Sequence, residues 1–372
     1  MNEDRASRYH RLQRRAAIVS TIAGAAWLIV LVVTGASAAL ARAVAAAVAA
    51  WPSPIGRAGA IVLFVTVLVA GYEAVTLPFT LFRFRLERTY GLSSEPLRTW
   101  VLDHLKAFAL GLALIVGAAA IVFLAVALSG RWWWVSAAAL FTLAGIALSN
   151  LAPIVLMPLF YRFKPLQREE LRDRLVRLSN QAGVKVLGAF EWGLGAKTSR
   201  ANAALVGLGR TRRILVSDTL LKDYSDDEIE VILAHEIAHH VYYDIWSSLA
   251  IESGVLVASL LAADVAVRTL GARFAIDGPS DLAALPVLAV ASGLVSMLLR
   301  PLGNAWSRRN ERRADRFALS LTRRPDAFIS AIRRLGAQNL ADDHPSSAAF
   351  WFFHTHPTID ERIAAAKHFH AA

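Results

Sequence analysis

No cysteine occurs in the 372 residues, which excludes disulfides, a thiol nucleophile and any cysteine-ligated metal site. Histidine and carboxylates remain as the ligands a metal could find. Charge is sparse too. Only 19% of residues are charged against 56% hydrophobic, and the mean hydropathy of +0.44 is not that of a soluble enzyme. Apolar runs of bilayer-spanning length, about 20 residues, occur at 16–40, 58–80, 107–128, 132–160, 245–267 and 282–302. No ordered set of charges runs through them, which argues against a transport path. Glu73 is an ionisable group inside the second run, where it either lines a polar cavity or snorkels from a span end.

The net charge of +11 follows the positive-inside rule, so it does not call for nucleic acid. Arg5, Arg8, Arg11, Arg14 and Arg15 precede the first run, and Arg83, Arg85, Arg88 and Arg98 lie between the second and third. The opposite loops hold Arg42 and Arg57, then Arg131, then Arg268 and Arg273. Six spans with the N-terminus inside put 161–244 and 303–372 inside as well. Residues 34–51, rich in alanine around Arg42, read as an amphipathic outer helix or half of a hairpin. Ala36-Ser37-Ala38 resembles a signal-peptidase site, but the first run is read as a retained anchor. The stretch from Leu77 to Leu92 reads as a basic anchor with interfacial aromatics.

What the chain does contain is His235-Glu236-Ile237-Ala238-His239. On a helix, two histidines four apart share one face and can bind one ion, and Glu236 beside them can take a proton from water. Ser225 with Glu228 forms a capping box, with Asp226 and Asp227 in the first turn, so a helix starts there. The pentapeptide alone also occurs in ordinary charged helices, so a third ligand is required. His240 turns off the ligand face by about 100° and is read as lying behind a ligand or at the surface. Tyr242, Tyr243 and Trp246 read as an interfacial belt where this helix enters the fifth run.

Glu311 and Asp315, four apart, present two acids on one helical face. The first could complete a His2Glu site and the second could accept the other ring N–H of a zinc histidine. Among Arg308, Arg309, Arg312, Arg313 and Arg316, they also fit a salt-bridged surface helix. His356 and Arg362 could donate to the oxyanion of a peptide carbonyl under attack, or could be a loop histidine and part of a capped final helix. His354 competes for that role, and His368 and His370 read as tail. Leu171, Leu175 and Leu178 mark a helical face. Short strands at 184–190 and 213–217 flank 198–209, whose Asn202 could hold a substrate backbone at a sheet edge or bond its own neighbours.

These pieces together resemble the integral-membrane zinc metalloproteases of the CAAX prenyl endopeptidase type 1 family, from about Leu77 to Ile363. The matching pieces are Leu77-Pro78-Phe79 with Tyr90-Gly91, Met157-Pro158-Leu159-Phe160 with Lys164-Pro165-Leu166, Ser199 with Asn202-Ala203, Asp218-Thr219-Leu220-Leu221, His235-Glu236 with His239, Glu311 with Asp315, and His356-Pro357-Thr358 with Glu361-Arg362-Ile363. The resemblance implies one zinc ion held by His235, His239 and Glu311, with Glu236 as base and proton shuttle. It implies that Asp315 orients a histidine, that Asn202 and Ala203 bind substrate, and that His356 and Arg362 stabilise the transition state. It further implies a helical membrane chamber around the site.

The expected fold is therefore mainly α: a polytopic membrane bundle or chamber with a small α+β zinc-protease portion on the cytoplasmic side. Residues 1–160 form an N-terminal membrane domain of four spans, and 161–372 a metallopeptidase domain with two more, at about 245–267 and 282–302. The expected partners are a peptide or protein substrate, lipidated or membrane-anchored, and the lipid bilayer, with no nucleic acid. The alanine- and arginine-rich composition points to a bacterial inner membrane, with both termini and the site cytoplasmic. Two features depart from the family: six spans rather than seven, and a short 218–235 segment. A bacterium would lack farnesylated CAAX proteins, which argues against the eponymous substrate. The rival readings are a heat-shock-type quality-control protease and a non-catalytic membrane scaffold.

Overall fold

The computed structural model describes residues 4–369, so His370 lies outside the described residues. Thirteen α-helices and four short strands occur among them. The first five helices are α1 (Arg5–Val33), α2 (Ala36–Ala47), α3 (Ser53–Thr89), α4 (Leu97–Ser129) and α5 (Trp133–Leu151). Then follow α6 (Glu169–Gln181), α7 (Asp218–Asp223), α8 (Asp226–Val241), α9 (Asp244–Leu270), α10 (Leu285–Thr322), α11 (Pro325–Gln338), α12 (Ser347–Phe353) and α13 (Ile359–Lys367).

Five apolar helical stretches are long enough to cross a membrane, and one of them, Leu97–Leu159, runs for 63 residues. That stretch turns back at Gly130–Trp132, where Gly130 takes φ 51°, so it supplies two helices, α4 and α5. Six long helices result. α1 packs on α3, α3 on α4, α4 on α5, α5 on α9, α9 on α10, and α10 back on α1. The ring is closed. Only 17 to 28% of each apolar window is buried, as expected of a wall with two open faces and not of a solid bundle.

The ends of the apolar runs differ from the sequence expectation. The first helix stops at Val33, not at residue 40, because Gly35 at φ 73° breaks the path and α2 begins anew. At 12 residues, α2 is about 18 Å long, short of the ~30 Å hydrocarbon core. Ser37 and Ala38 are buried within it, and Ser37 Oγ donates to the Ala283 carbonyl. The run at 132–160 leaves α-helical geometry after Leu151, where Pro153 and Pro158 each remove an N–H. Glu73 pairs with His104 on α4 at 2.8 Å. The 77–92 stretch is not merely an anchor. Tyr9, Leu86 and Leu92 form a small core with Tyr90, and Ser199 N donates to the Leu92 carbonyl.

The strands are β1 (Phe163–Pro165), β2 (Ala189–Trp192), β3 (Ala203–Val206) and β4 (Arg213–Ser217), in the order β1-β2-β4-β3. β2 runs parallel to β4, while β1 and β3 pair antiparallel to β2 and β4. The expected strand at 184–190 starts only at Ala189, because 184–188 closes the end of α6 and rounds Gly188. β1 and β3 were not legible. Ala203–Val206 is four residues of mostly alanine and leucine, without the β-branched pattern that signals a strand.

Sheet, α6, α8 and α11 enclose one core containing Leu171, Leu175, Leu178, Ile229, Leu233 and Phe328. The capping box forms as read: Ser225 N donates to Glu228 Oε2 at 2.8 Å, and Glu228 N donates to Ser225 Oγ. Glu228 is buried and also accepts from Ser330 Oγ and Arg334, tying α8 to α11. Ser225→Ala is expected to cost about 1 kcal/mol. Glu228→Ala should cost more, since it strands Arg334 and Ser330 as well. Thermal midpoints in detergent would rank the two.

Candidate active site

Helix α8 lies against α10 and β3, and this packing gathers the site. α10 has 38 residues, about 57 Å, so its C-terminal turns carry Glu311 and Asp315 well past what a bilayer requires. One ligand atom each from His235, His239 and Glu311 lies within 4.8 Å of the others. His235 Nε2 is 3.1 Å from Glu311 Oε2, and His239 Nε2 is 3.5 Å from Glu311 Oε1.

The outer nitrogens explain the chemistry. His235 Nδ1 donates to Asp315 Oδ1 at 2.9 Å, and His239 Nδ1 donates to Asp244 Oδ2 at 2.8 Å. Each imidazole thus turns an Nε2 lone pair toward the others. Glu311 is buried, and its Oε2 has no hydrogen-bond partner among the described residues, although His235 and His356 stand close. Two lone pairs and a carboxylate converging in a buried place need a positive charge between them, and the donor set suits zinc. The proton shows the same demand. Burial by itself would lower the His235 pKa, yet the Asp315 and Glu311 carboxylates outweigh it and lift it to about 10. The flanking acids are themselves held: Arg362 forks onto both Asp315 oxygens at 2.9 and 2.6 Å, and Arg313 pairs with Asp244.

Glu236, between the two histidines in sequence, lies with His235 on the wall of a cavity of about 230 Å³. Burial pushes its carboxyl above the usual range, against the pull of His235 and His239. A carboxylate so placed is disposed to accept a proton. The cavity is also lined by Asn202, Ala203, His356, Arg362, Asn339 and a wall that includes Phe328, Ile332 and Leu335. Ala203 lies on β3, the edge strand nearest α8, and the Asn202 side chain is exposed beside it.

All nine residues singled out from the sequence therefore gather here, some with unforeseen partners. His356 Nδ1 lies 2.8 Å from Glu311 Oε2, and its side chain is 61% exposed. Arg362 is committed to Asp315. Glu311 and Asp315 are 5% and 4% exposed, so the surface-helix alternative fails for that face. His240 is buried, not at the surface, and its Nε2 meets the Leu205 carbonyl of β3 at 2.8 Å. Asp244 escaped the sequence reading. Its only local sign was an acid in the first turn of a helix, five residues after His239.

A ring of membrane-length helices crowned by a His-His-Glu centre, a buried acid and an open sheet edge defines a multi-pass membrane metallopeptidase. The chain belongs to Peptidase family M48, whose profile matches residues 165–370, while a profile described as "CAAX prenyl protease N-terminal, five membrane helices" matches 2–162. It is a zinc metalloendopeptidase of the CAAX prenyl protease kind, and its substrate is a peptide or protein.

Among similar proteins, the "Uncharacterized metalloprotease YhfN" of Bacillus subtilis (strain 168) is 29% identical over 311 residues, covering 82% of this chain and 72% of that one. The "Probable CAAX prenyl protease 1" of Schizosaccharomyces pombe is 28% identical over 299 residues, 78% of this chain and 62% of that one. The crystal structure of S. mikatae Ste24p shares the fold, with a TM-score of 0.84 at 20% identity over 98% of this chain and 88% of that one.

Proposed function

We propose that His235, His239 and Glu311 hold the zinc, that Glu236 is the general base, and that the substrate is a peptide segment laid along β3. The observation that carries this is the convergence of three acceptor atoms within 4.8 Å, one of them on His235, which together with Glu236, Asn202 and Ala203 lines the cavity. Zinc, when bound, supplies a Lewis acid for the peptide carbonyl and for the attacking water. Glu236 takes the proton of that water and returns it to the leaving amine. Asp315 and Asp244 keep both imidazoles as Nδ1–H tautomers. His356, largely exposed, can swing from Glu311 to the carbonyl oxygen that gains charge, and Arg362 sets positive charge beside it. Asn202 and Ala203 align the substrate backbone.

Removing either outer acid should loosen the metal without touching a ligand. Asp315→Asn and Asp244→Asn are each expected to weaken zinc binding by about 10- to 100-fold. Competition with a chelator would read this, and unchanged affinity in both variants would refute the tautomer argument.

The finer reading follows the charge pattern: residues 1–160 form a membrane domain and 161–372 the peptidase domain, in a bacterial inner membrane with both termini and the site cytoplasmic. Phe328, Ala331, Ile332 and Leu335 suit an aliphatic side chain beside the scissile bond, and the closed ring suits a substrate segment anchored in the bilayer by a lipid. The test is cleavage of a farnesylated CAAX peptide beside its unprenylated twin in detergent, with Glu236→Gln as control. Cutting confined to the prenylated peptide supports a lipid-reading site. Equal cutting of both removes the lipid from the proposal, and broad cutting of unfolded membrane proteins would favour quality control.

A further inference from the structure

We infer that Asn339 sets how far a substrate can extend past the scissile bond on its C-terminal side. The inference rests on the reading of the β3 edge as the place where substrate pairs. Immediately before β3, Asn202 faces β4, since its carbonyl accepts from Ser217 N and its N–H donates to Ser217 Oγ. By the two-residue period of a strand, Ala201, Ala203 and Leu205 turn their N–H and C=O groups to the open side.

That side is closed at both ends. The Leu205 carbonyl is taken by His240 Nε2. At the other end the Asn339 amide behaves as a strand neighbour would: Ala201 N donates to Asn339 Oδ1 at 3.3 Å, and Asn339 Nδ2 donates to the Ala201 carbonyl at 3.4 Å. Gln338 Nε2 continues the seal by donating to the Ser199 carbonyl at 2.7 Å. Between the two closures lie the N–H and C=O of Ala203 and the N–H of Leu205.

A window this short selects a pairing. In antiparallel pairing one substrate residue takes both groups of Ala203, whereas parallel pairing spreads them over two residues. The substrate then runs opposite to β3, so the closure at Ala201 meets its C-terminal side. The substrate residue two places beyond the partner of Ala203 would need the space that the Asn339 amide fills.

The closure is held from outside the site. Asn339 ends α11, and the next residue, Leu340, sits at φ 51°, a left-handed conformation that costs a leucine energy. The Leu340 carbonyl is 2.5 Å from His10 Nε2, and Arg14 pairs at 2.6 Å with Asp342, whose side chain is buried. Helix α1 of the membrane wall thus fixes the plug.

The experiment uses full-length, zinc-loaded protein in detergent and two peptide series built on one cleaved sequence, lengthened in steps on the C-terminal or the N-terminal side. For wild type, kcat/KM should fall at least tenfold from the shortest to the longest C-terminal extension. In Asn339→Ala that fall should shrink to within threefold, with the N-terminal series unaffected. Asn339→Ser, a milder change, should behave alike, and thermal midpoints identify a misfolded variant. An unchanged C-terminal length dependence in both folded variants overturns the inference and leaves the site reading intact. No cleavage of any peptide by wild type, or equal cleavage by Glu236→Gln, overturns the site reading and this inference with it.

Discussion

Glu236→Gln is expected to lower kcat by roughly 10²- to 10⁴-fold, the usual share of a general base, while the protein keeps its zinc. The amide has the same shape, so the cavity wall and both neighbouring histidines should stay in place. What it loses is the ability to accept a proton. Burial already biases this carboxyl toward holding one, which suits a group that must take a proton and then deliver it. KM should change little, because Glu236 belongs to none of the backbone contacts assigned to the substrate. Turnover of a fluorogenic peptide together with zinc content per chain is the measurement. A variant with full zinc and full activity would remove Glu236 from the mechanism, and a variant that lost zinc would show that it supports the metal instead.

Glu311→Ala is expected to abolish both zinc retention and activity. Its carboxylate is the sole anionic member of the three-atom cluster, and it supplies the charge that two neutral imidazoles cannot. Removing it also leaves His235 with Asp315 alone. Wild-type protein should gain thermal stability when zinc is added to stripped samples, because a ligand that binds the folded state stabilises it in proportion to the logarithm of its occupancy ratio. The variant should not respond. If it melts with the same zinc-dependent shift as wild type, the metal sits elsewhere.

The two predictions rest on residues that differ in how readily a sequence betrays them. His235, Glu236 and His239 announce themselves because their spacing is a property of one helix, and the capping box at Ser225 shows that the helix exists. Glu311 and Asp315 were ambiguous among five arginines. Four-residue spacing says that two acids share a face, but not whether the face is wet. Asp244 and Asn339 carried almost no local signal, since an acid opening a helix and an asparagine ending one are ordinary in either position. β3 was hidden for the same reason.

The sequence by itself determined what depends on near neighbours along the chain: the membrane-length apolar helices, the metal-binding face of α8, the acid pair on α10, and the absence of cysteine from the site. Only the tertiary structure decided what depends on distant segments meeting. It closed six helices into a ring, turned Arg362 onto Asp315, and sealed the β3 edge with a side chain from the end of α11. The physical reason is range. Helical spacing and capping are fixed within a few residues, whereas these contacts depend on packing between separate elements, far apart along the chain where α10 meets α1 and where Asn339 meets Ala201, 138 residues away, and no local pattern names the partners.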